Sequence, residues 1–394
     1  MKVLFALSRF PYPTDKGDKL RAFHQIRMLS KAHEVYLVCL TSEKVAKKDL
    51  DVIYNYCKEV KVVFLSKSDV LSNVISGTML GNEPVQTYYF KSEEMKRAIE
   101  EVVLRVRIDV CYVQLLRLIF NIPFHLPCSY YLDYMDAFSA GMAKRVFVSK
   151  WYEKPFVKME QERLYWYEQE VKDRFDGYSI ITQQDADLVN VPGLDVIPNG
   201  VDESFFEIQD VEKKYDLIFT GNMGYHPNIQ AAKYLVKEIK PLLDKKGHRL
   251  KICIAGKRPA AEVRALASED VEITGFVEDI RTCLWQSKIF AAPLFTGSGL
   301  QNKLLEAMAA KIPVITTELA NTALGAEDKK EVCIGYDAQS FAEGIAELME
   351  SSSLRQSIGE QGHEFVKQNY DWKACTDILV QKFQELIDKR TIRH

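Results

Sequence analysis

Between Pro293 and Met308 the chain sets two glycines, a lysine and a glutamate in the order that an anionic ligand requires. Gly297 and Gly299 can turn backbone N–H groups toward a phosphate. Lys303 brings a cation one turn into a helix, and Glu306 lies three residues on, on the same helix face. A carboxylate so placed can accept the two hydroxyls of a ribose. Helix capping with a solvated Lys303 and Glu306 is the alternative. The paired glycines and the small apolar run Ala307–Ala310 favour close approach of a ligand.

A second pattern of this kind runs from Ser8 to Arg21, through Lys16, Gly17, Asp18 and Lys19, into a helix. A glycine at a helix start, unpaired N–H groups and the charges of Lys19 and Arg21 suit an anion; a plain helix-start turn explains the stretch equally well. Neither stretch holds G-x-G-x-x-G, and G-x-x-x-x-G-K-[ST] occurs nowhere, which argues against a dinucleotide site and a P-loop. Lys257 and Arg258, after the apolar run Leu250–Ala255, are either a local pair of site cations or surface charges. Asp133 and Asp136 follow the run Ser129–Leu132, where a crevice-facing group belongs. They either orient a hydroxyl or assist as base, or they cap their loop. His24, two turns into its helix, reads as an internal helix residue, and no residue is assigned to a metal.

These residues need a scaffold that delivers loops to one edge. Short β-branched or aromatic runs alternate with longer amphipathic stretches, the pattern of parallel strands joined by crossover helices. In the first half the strand candidates are Val3–Ala6, Glu34–Leu40, Val60–Leu65, Val110–Val113, Ser129–Leu132 and Tyr178–Thr182. In the second they are Tyr215–Thr220, Leu250–Ala255, Val271–Thr274, Ile289–Pro293, Val314–Thr317 and Val332–Gly335, with helical stretches such as Asn228–Leu243 between them. The expectation is α/β, with two doubly wound Rossmann-like domains facing across a cleft. Pro198, Asn199 and Gly200 punctuate the change, giving domains 1–204 and 205–371 and a return helix over 372–394 that packs on the first domain or across the cleft.

A length of 394 residues accommodates two such domains, and with 47% apolar and 27% charged residues the chain is neither disordered nor a disulfide scaffold. A net charge of −3 supplies no global field for nucleic acid, so any charge effect is local. The eight cysteines lie too far apart in sequence for a zinc knuckle or a redox pair and read as buried small hydrophobes in a reducing compartment. Met1–Phe10 is apolar for only about six residues before Ser8, too short for a signal h-region, and no run is long enough to span a bilayer, so a cytoplasmic, non-integral protein is expected. Residues 144–158 carry Lys144, Arg145, Lys150, Lys154 and Lys158 against Glu153 alone, interleaved with Phe147, Trp151, Tyr152 and Phe156. Such a segment either makes a peripheral contact with the inner face of a membrane or forms a solvated helix with its aromatics packed inward.

The sequence resembles the retaining nucleotide-sugar glycosyltransferases of family 4, over essentially its whole length. The residues that carry this are Lys16–Lys19, Ile197–Asp202, Phe219–Met223 with Pro227 and Asn228, Gly275–Asp279, and Gln301–Met308. The Lys-Gly-Asp-Lys loop together with Gln-Asn-Lys before Leu-Leu-Glu is similar to the branch associated with exopolysaccharide and PEP-CTERM systems. The resemblance implies a two-domain GT-B fold and transfer of a sugar from a UDP- or GDP-linked donor to a glycan or lipid-linked acceptor, with retention, no cofactor and no metal. It places Glu306 on the ribose, Gly299, Leu300 and Lys303 at the diphosphate, the base beside Phe276 and Val277, and Gly17 across the cleft. Gly221, Asn222, Ser298 and Asn302 complete the donor contacts. Ser298 stands where many members carry a Glu, and Gly221–Asn228 stands where they carry an Arg and a Lys, so Lys303 and the Lys257–Arg258 pair are expected to neutralise the leaving group. Without an obvious nucleophilic carboxylate, front-face substitution is favoured over double displacement. A non-hydrolysing sugar-nucleotide epimerase or a non-catalytic sugar-binding protein are the rival readings.

Overall fold

The computed structural model describes residues 1–297 and 299–392, apart from the side chains of Met79, Leu80 and Val148. The chain forms two compact units, Met1–Pro198 with the segment from Cys375 onward, and Asn199–Ala374. Asn199–Ser204 thus falls in the second unit rather than the first. The Val201 N–H donates to the Tyr370 carbonyl at 2.8 Å, and the Val201 side chain is buried in the second unit's core.

Unit 1 is built on a parallel sheet of β1 (Lys2–Leu7), β2 (Glu34–Thr41), β3 (Glu59–Phe64), β4 (Val110–Gln114), β5 (Ser129–Asp133), β6 (Gly177–Ile180) and β7 (Asp195–Val196). Its order is β3-β2-β1-β4-β5-β6-β7. Residues Val3–Leu7 and Val110–Gln114 are all buried, because crossover helices cover both faces and leave no polar side to alternate with. The order reverses between β1 and β4, and such a switch point opens a crevice at the carboxyl ends of the strands. Helix α1 (Gly17–Leu29) follows β1, while α2 (Phe138–Val148) and α3 (Lys154–Glu170) follow β5. The basic-aromatic stretch therefore spans two helices and a turn rather than one helix. Pro155 stands in the first turn of α3, where its missing N–H costs nothing.

Unit 2 repeats the design with β8 (Tyr215–Thr220), β9 (Ile252–Ala255), β10 (Val271–Gly275), β11 (Ser287–Ala292), β12 (Val314–Thr316) and β13 (Cys333–Ile334). The order is β10-β9-β8-β11-β12-β13, so the switch point lies between β8 and β11. The glycine-rich stretch follows β11 and leads into α4 (Asn302–Ala309). The helical stretch expected over Asn228–Leu243 runs from His226 to Lys245 but widens into a π turn at Leu235–Ile239. Pro241 is the physical reason: it has no N–H to donate and its ring crowds the preceding turn.

The last helix, α5, spans Trp372–Ile392. Cys375, Leu379, Phe383 and Leu386, one face at helical spacing, join the core of unit 1 beneath β4 and β5. The Phe383 ring lies edge-on to Tyr131 at 5.1 Å and to Tyr112 at 6.1 Å. Among the described residues no helix is long and apolar enough to cross a membrane.

Candidate functional site

In unit 2 the loops after β8, β9 and β11 close on one another at the switch point. Gly221 and Gly256 lie back to back: a Cβ on Gly256 would fall 1.7 Å from the Gly221 carbonyl oxygen, and its φ of +144° is one that side chains avoid. Gly221 is excluded from bearing a side chain by Asn228, whose Nδ2 would lie 2.7 Å from the new Cβ. Its glycine identity thus serves packing between loops. Asn222 folds its own turn, accepting from the Gly224 N–H at 3.1 Å, and its carbonyl accepts from Asn228 Nδ2 at 3.0 Å.

Asn228 also reaches α4, where Lys303 Nζ donates to its Oδ1 at 2.6 Å and lies 5.4 Å from the centroid of the Phe219 ring. Asn228 stands in one of the motifs of the sequence without an assigned role there. Its spacing from Asn222, six residues on after a proline, was the available signal. Lys303 and Glu306 each keep part of their surface open to water while protein fills most of their surroundings. Burial pushes the Lys303 ammonium down to about 8 against the opposing pull of Glu306, and burial pushes the Glu306 carboxyl up to about 7 against the pull of Lys303. An anion beside Lys303 and hydroxyl donors on Glu306 would relieve both penalties. Asn302, at the first position of α4, holds its Oδ1 buried with no hydrogen-bond partner among the described residues. A buried acceptor of this kind is completed by an ordered water or by a ligand donor.

The approach to α4 is left-handed at Gly297 (φ +125°) and Gly299 (φ +74°), and a Cβ on Gly297 would meet only Pro227, at 3.9 Å. The glycines expected to give close approach do occupy conformations that other residues resist, with open space above the first. Leu300 packs partly against the unit 2 core. Ser298 lies outside the described residues. At the carboxyl end of β10, two strands from the switch point, Phe276 is 75% exposed, while Val277 packs on the core. Lys257, half-buried after β9, gives its carbonyl to the Met223 N–H at 2.9 Å.

Unit 1 corrects part of the sequence reading. Asp133 is wholly buried, its Oδ2 lying 2.5 Å from Arg21 Nε, and Tyr112 OH and the Met135 N–H also donate to it. Arg21 further donates to the Pro198 carbonyl at 3.2 Å. Asp133 is therefore the anchor of an internal ion pair, not a group that meets an acceptor, and Arg21 is not a cation offered to an anion. Lys19 is likewise engaged, with Asp15 at 2.9 Å and the Pro13 carbonyl at 3.1 Å. His24 is buried in α1. Gly17 opens α1, with nothing near its Cβ direction. Asp136 follows the left-handed Met135 and is exposed on one side while crowded on the others. Burial, then Asp185 and Asp133, push its carboxyl up to about 6, within reach of acid–base work near neutrality.

The carboxyl ends of β1, β2 and β3 border a cavity of about 730 Å³ in this unit, lined among others by Arg9, Phe10, Tyr12, Arg117, Met142 and Phe156. As for metals, the Asp-x-Asp pairs Asp49/Asp51 and Asp185/Asp187 lie within helices, where residues two apart face different directions. Among the described residues no group of three or more His, Cys, Asp or Glu could hold a metal ion.

Residues 214–351 match the family model described as "Glycosyl transferases group 1". Over 389 residues the chain is 19% identical to an uncharacterized 44.6 kDa protein in the cps region of Klebsiella pneumoniae, covering 94% of this chain and 97% of that one. Among solved structures it is similar to the sucrose-phosphate synthase of Thermosynechococcus elongatus, with a TM-score of 0.68, 11% identity and coverage of 99% and 100% of the two chains. It is also similar to Anabaena HepE in complex with UDP, with a TM-score of 0.64, 12% identity and coverage of 98% and 100%. The two parallel-sheet units and these likenesses show a GT-B fold. The group 1 match over unit 2 supports a glycosyltransferase.

Proposed function

We propose that this chain is a retaining, family 4-like glycosyltransferase that moves a sugar from a nucleotide-diphosphate donor to a glycan or lipid-linked acceptor in surface or exopolysaccharide synthesis. The observation that carries the reading is the α4 entrance: two left-handed glycines, an orphaned Asn302 Oδ1, and Lys303 and Glu306 held at shifted proton affinities in the segment matching group 1. The relative in a cps region supports the polysaccharide setting, and a structural neighbour in complex with UDP supports a nucleotide-linked donor.

In this reading Glu306 accepts the ribose hydroxyls, and Lys303 with the backbone N–H groups at the start of α4 meets the diphosphate. When the bond between the anomeric carbon and the phosphate oxygen breaks, negative charge grows on that oxygen, and fixed positive groups stabilise it. The same oxygen takes the proton of the acceptor hydroxyl as the hydroxyl attacks from the face being vacated, so configuration is retained. The charge is met by Lys303, with Lys257 as a second cation, and the reading needs no metal ion. Asp136, with its carboxyl near 6, is the remaining candidate to orient the acceptor hydroxyl.

Incubation with UDP- and GDP-sugars, with nucleotide release followed and the anomeric configuration of the product read by NMR, tests the proposal. Release of nucleoside diphosphate with a retained anomeric linkage is expected. An epimerised nucleotide sugar, or tight sugar binding with no nucleotide release, would overturn it.

A further inference from the structure

The cavity of unit 1 has a charge arrangement that the donor chemistry does not use. Arg9 Nη1 and Arg117 Nη2 both meet one oxygen of Asp18, at 2.5 and 3.2 Å, so two guanidinium groups share a single carboxylate and this part of the wall keeps a positive charge, while Glu43, Asp49 and Glu160 line other parts of the cavity. Arg9 follows β1 and Arg117 follows β4, the two strands that flank the switch point. Only 12% of the Arg117 side chain is exposed. Its Cζ lies 4.6 Å from the centroid of the Phe90 ring, and its Nε is buried with no hydrogen-bond partner among the described residues. Burial and the neighbouring Arg9 push this guanidinium down to about 10 against the pull of Asp18, so one carboxylate does not offset the two cations and a further anion would be favoured here. Much of the remaining lining is apolar or aromatic, including Phe10, Tyr12, Tyr89, Met142 and Phe156.

Met142 belongs to α2 and Phe156 to α3, so the cavity reaches the corner between these helices. There Phe147 and Trp151 are each 83% exposed, and Tyr152 and Phe156 are exposed beside them. Within the described part of α2 only Ser139 is buried, although the helix is apolar in composition. The exposed aromatics are interleaved with five cations and the single anion Glu153 between residues 144 and 158. A water-facing surface gains nothing from two bare large aromatics. A bilayer surface with anionic headgroups matches both the aromatics and the charge.

We infer that the cavity and the α2–α3 corner form one site for an amphiphilic phosphate, whose phosphate rests on Arg9 and Arg117 and whose apolar chain runs past Met142 and Phe156 into an anionic bilayer contacted by Phe147 and Trp151. This rests on the proposed function only in naming the amphiphile as the acceptor; its binding is independent of the donor.

The test uses the full chain and three soluble probes below their micelle concentrations: octyl phosphate, octyl glucoside and inorganic phosphate. Octyl phosphate is expected to bind most tightly by calorimetry. Arg117→Met should weaken it about 10- to 100-fold, the loss of a charge-assisted pair of hydrogen bonds. Arg9→Gln, at a side chain 37% exposed, serves as a second variant whose folding is less exposed to risk. Sedimentation with phosphatidylcholine vesicles, with and without phosphatidylglycerol, should show binding only to the anionic ones, lost in Phe147→Ser/Trp151→Ser and kept in Arg9→Gln. Equal binding of octyl glucoside and octyl phosphate, or unchanged affinity for octyl phosphate in a folded Arg9 or Arg117 variant, overturns the anion subsite. Equal binding to neutral vesicles overturns the bilayer contact, and inorganic phosphate as tight as octyl phosphate overturns the amphiphile. UDP titrated into the same samples separates the two readings: absence of UDP binding with octyl phosphate bound defeats the donor assignment alone.

Discussion

Replacing Lys303 by Met should move stability and function in opposite directions. Burial holds the Lys303 ammonium at about 8 rather than 10.5, which corresponds to about 3 kcal/mol of penalty on its charged form. Such a lysine weakens folding below about pH 8, where it is charged in both states, and the penalty fades as pH rises from about 8 toward 10.5. Methionine keeps the apolar stem against Phe219 and removes that penalty. It also strips Asn228 Oδ1 of its 2.6 Å donor, at a cost of about 1–3 kcal/mol. The net change at pH 7 is therefore within about 2 kcal/mol and leans toward stabilisation. For the ligand the sign reverses. Loss of a buried cation facing a diphosphate should weaken UDP binding by about 10- to 100-fold and slow sugar transfer by about 10²- to 10³-fold. Thermal unfolding at pH 7 and pH 9.5, with UDP titration at pH 7, separates the two. The wild type should gain stability relative to Lys303→Met between those pH values. A variant that unfolds several degrees lower while binding UDP as before would show that Lys303 only holds Asn228 in place, and the donor assignment would fail.

UDP affinity should be highest between about pH 7 and pH 8, falling on the acid side as Glu306 is protonated and on the alkaline side as Lys303 loses its proton; calorimetry across pH would show a flat profile if neither group meets the ligand. The raised Glu306 carboxyl costs folding nothing below about 4.5 and progressively more as pH rises through about 7, so Glu306→Gln should be at least as stable as wild type at pH 8 while losing UDP affinity. Gly256→Ala should unfold unit 2 or lower its melting temperature sharply, since its new Cβ has nowhere to go but into the Gly221 carbonyl; a melting curve within a degree of wild type would contradict that geometry. Asp133→Ala should destabilise unit 1 by about 3–5 kcal/mol by stranding Arg21, whereas Asp136→Asn, which removes a carboxylate that burial disfavours, should be at least as stable as wild type at pH 8 and abolish an acidic limb near pH 6 in the rate profile.

The alternation of strands and helices was legible because it is a local property, written in side-chain period and in β-branched runs, and most strand ends differ from the expected ones by only one or two residues. The two-residue β7 escaped because so short a strand has no period to read. The glycine-rich entrance to α4 was legible for a similar reason: positive φ is a demand on one residue at a time, and Gly297 and Gly299 meet it. Partnership was not legible. Arg21 and Asp133 are 112 residues apart, Asp18 and Arg117 are 99 apart, and Asn228 and Lys303 are 75 apart. Sequence left Asp133 open as a crevice group or a loop cap and Arg21 as a cation for an anion or a helix-start charge; the fold neutralised them against each other, because Arg21 on α1 packs over β5. Exposure divided the same way. The basic-aromatic stretch could have turned its rings inward, and only the break between α2 and α3 left Phe147 and Trp151 facing outward. Local backbone and periodicity are encoded residue by residue. Which charge meets which, and which ring meets water, depends on the strand order that sets β1 beside β4 and β8 beside β11.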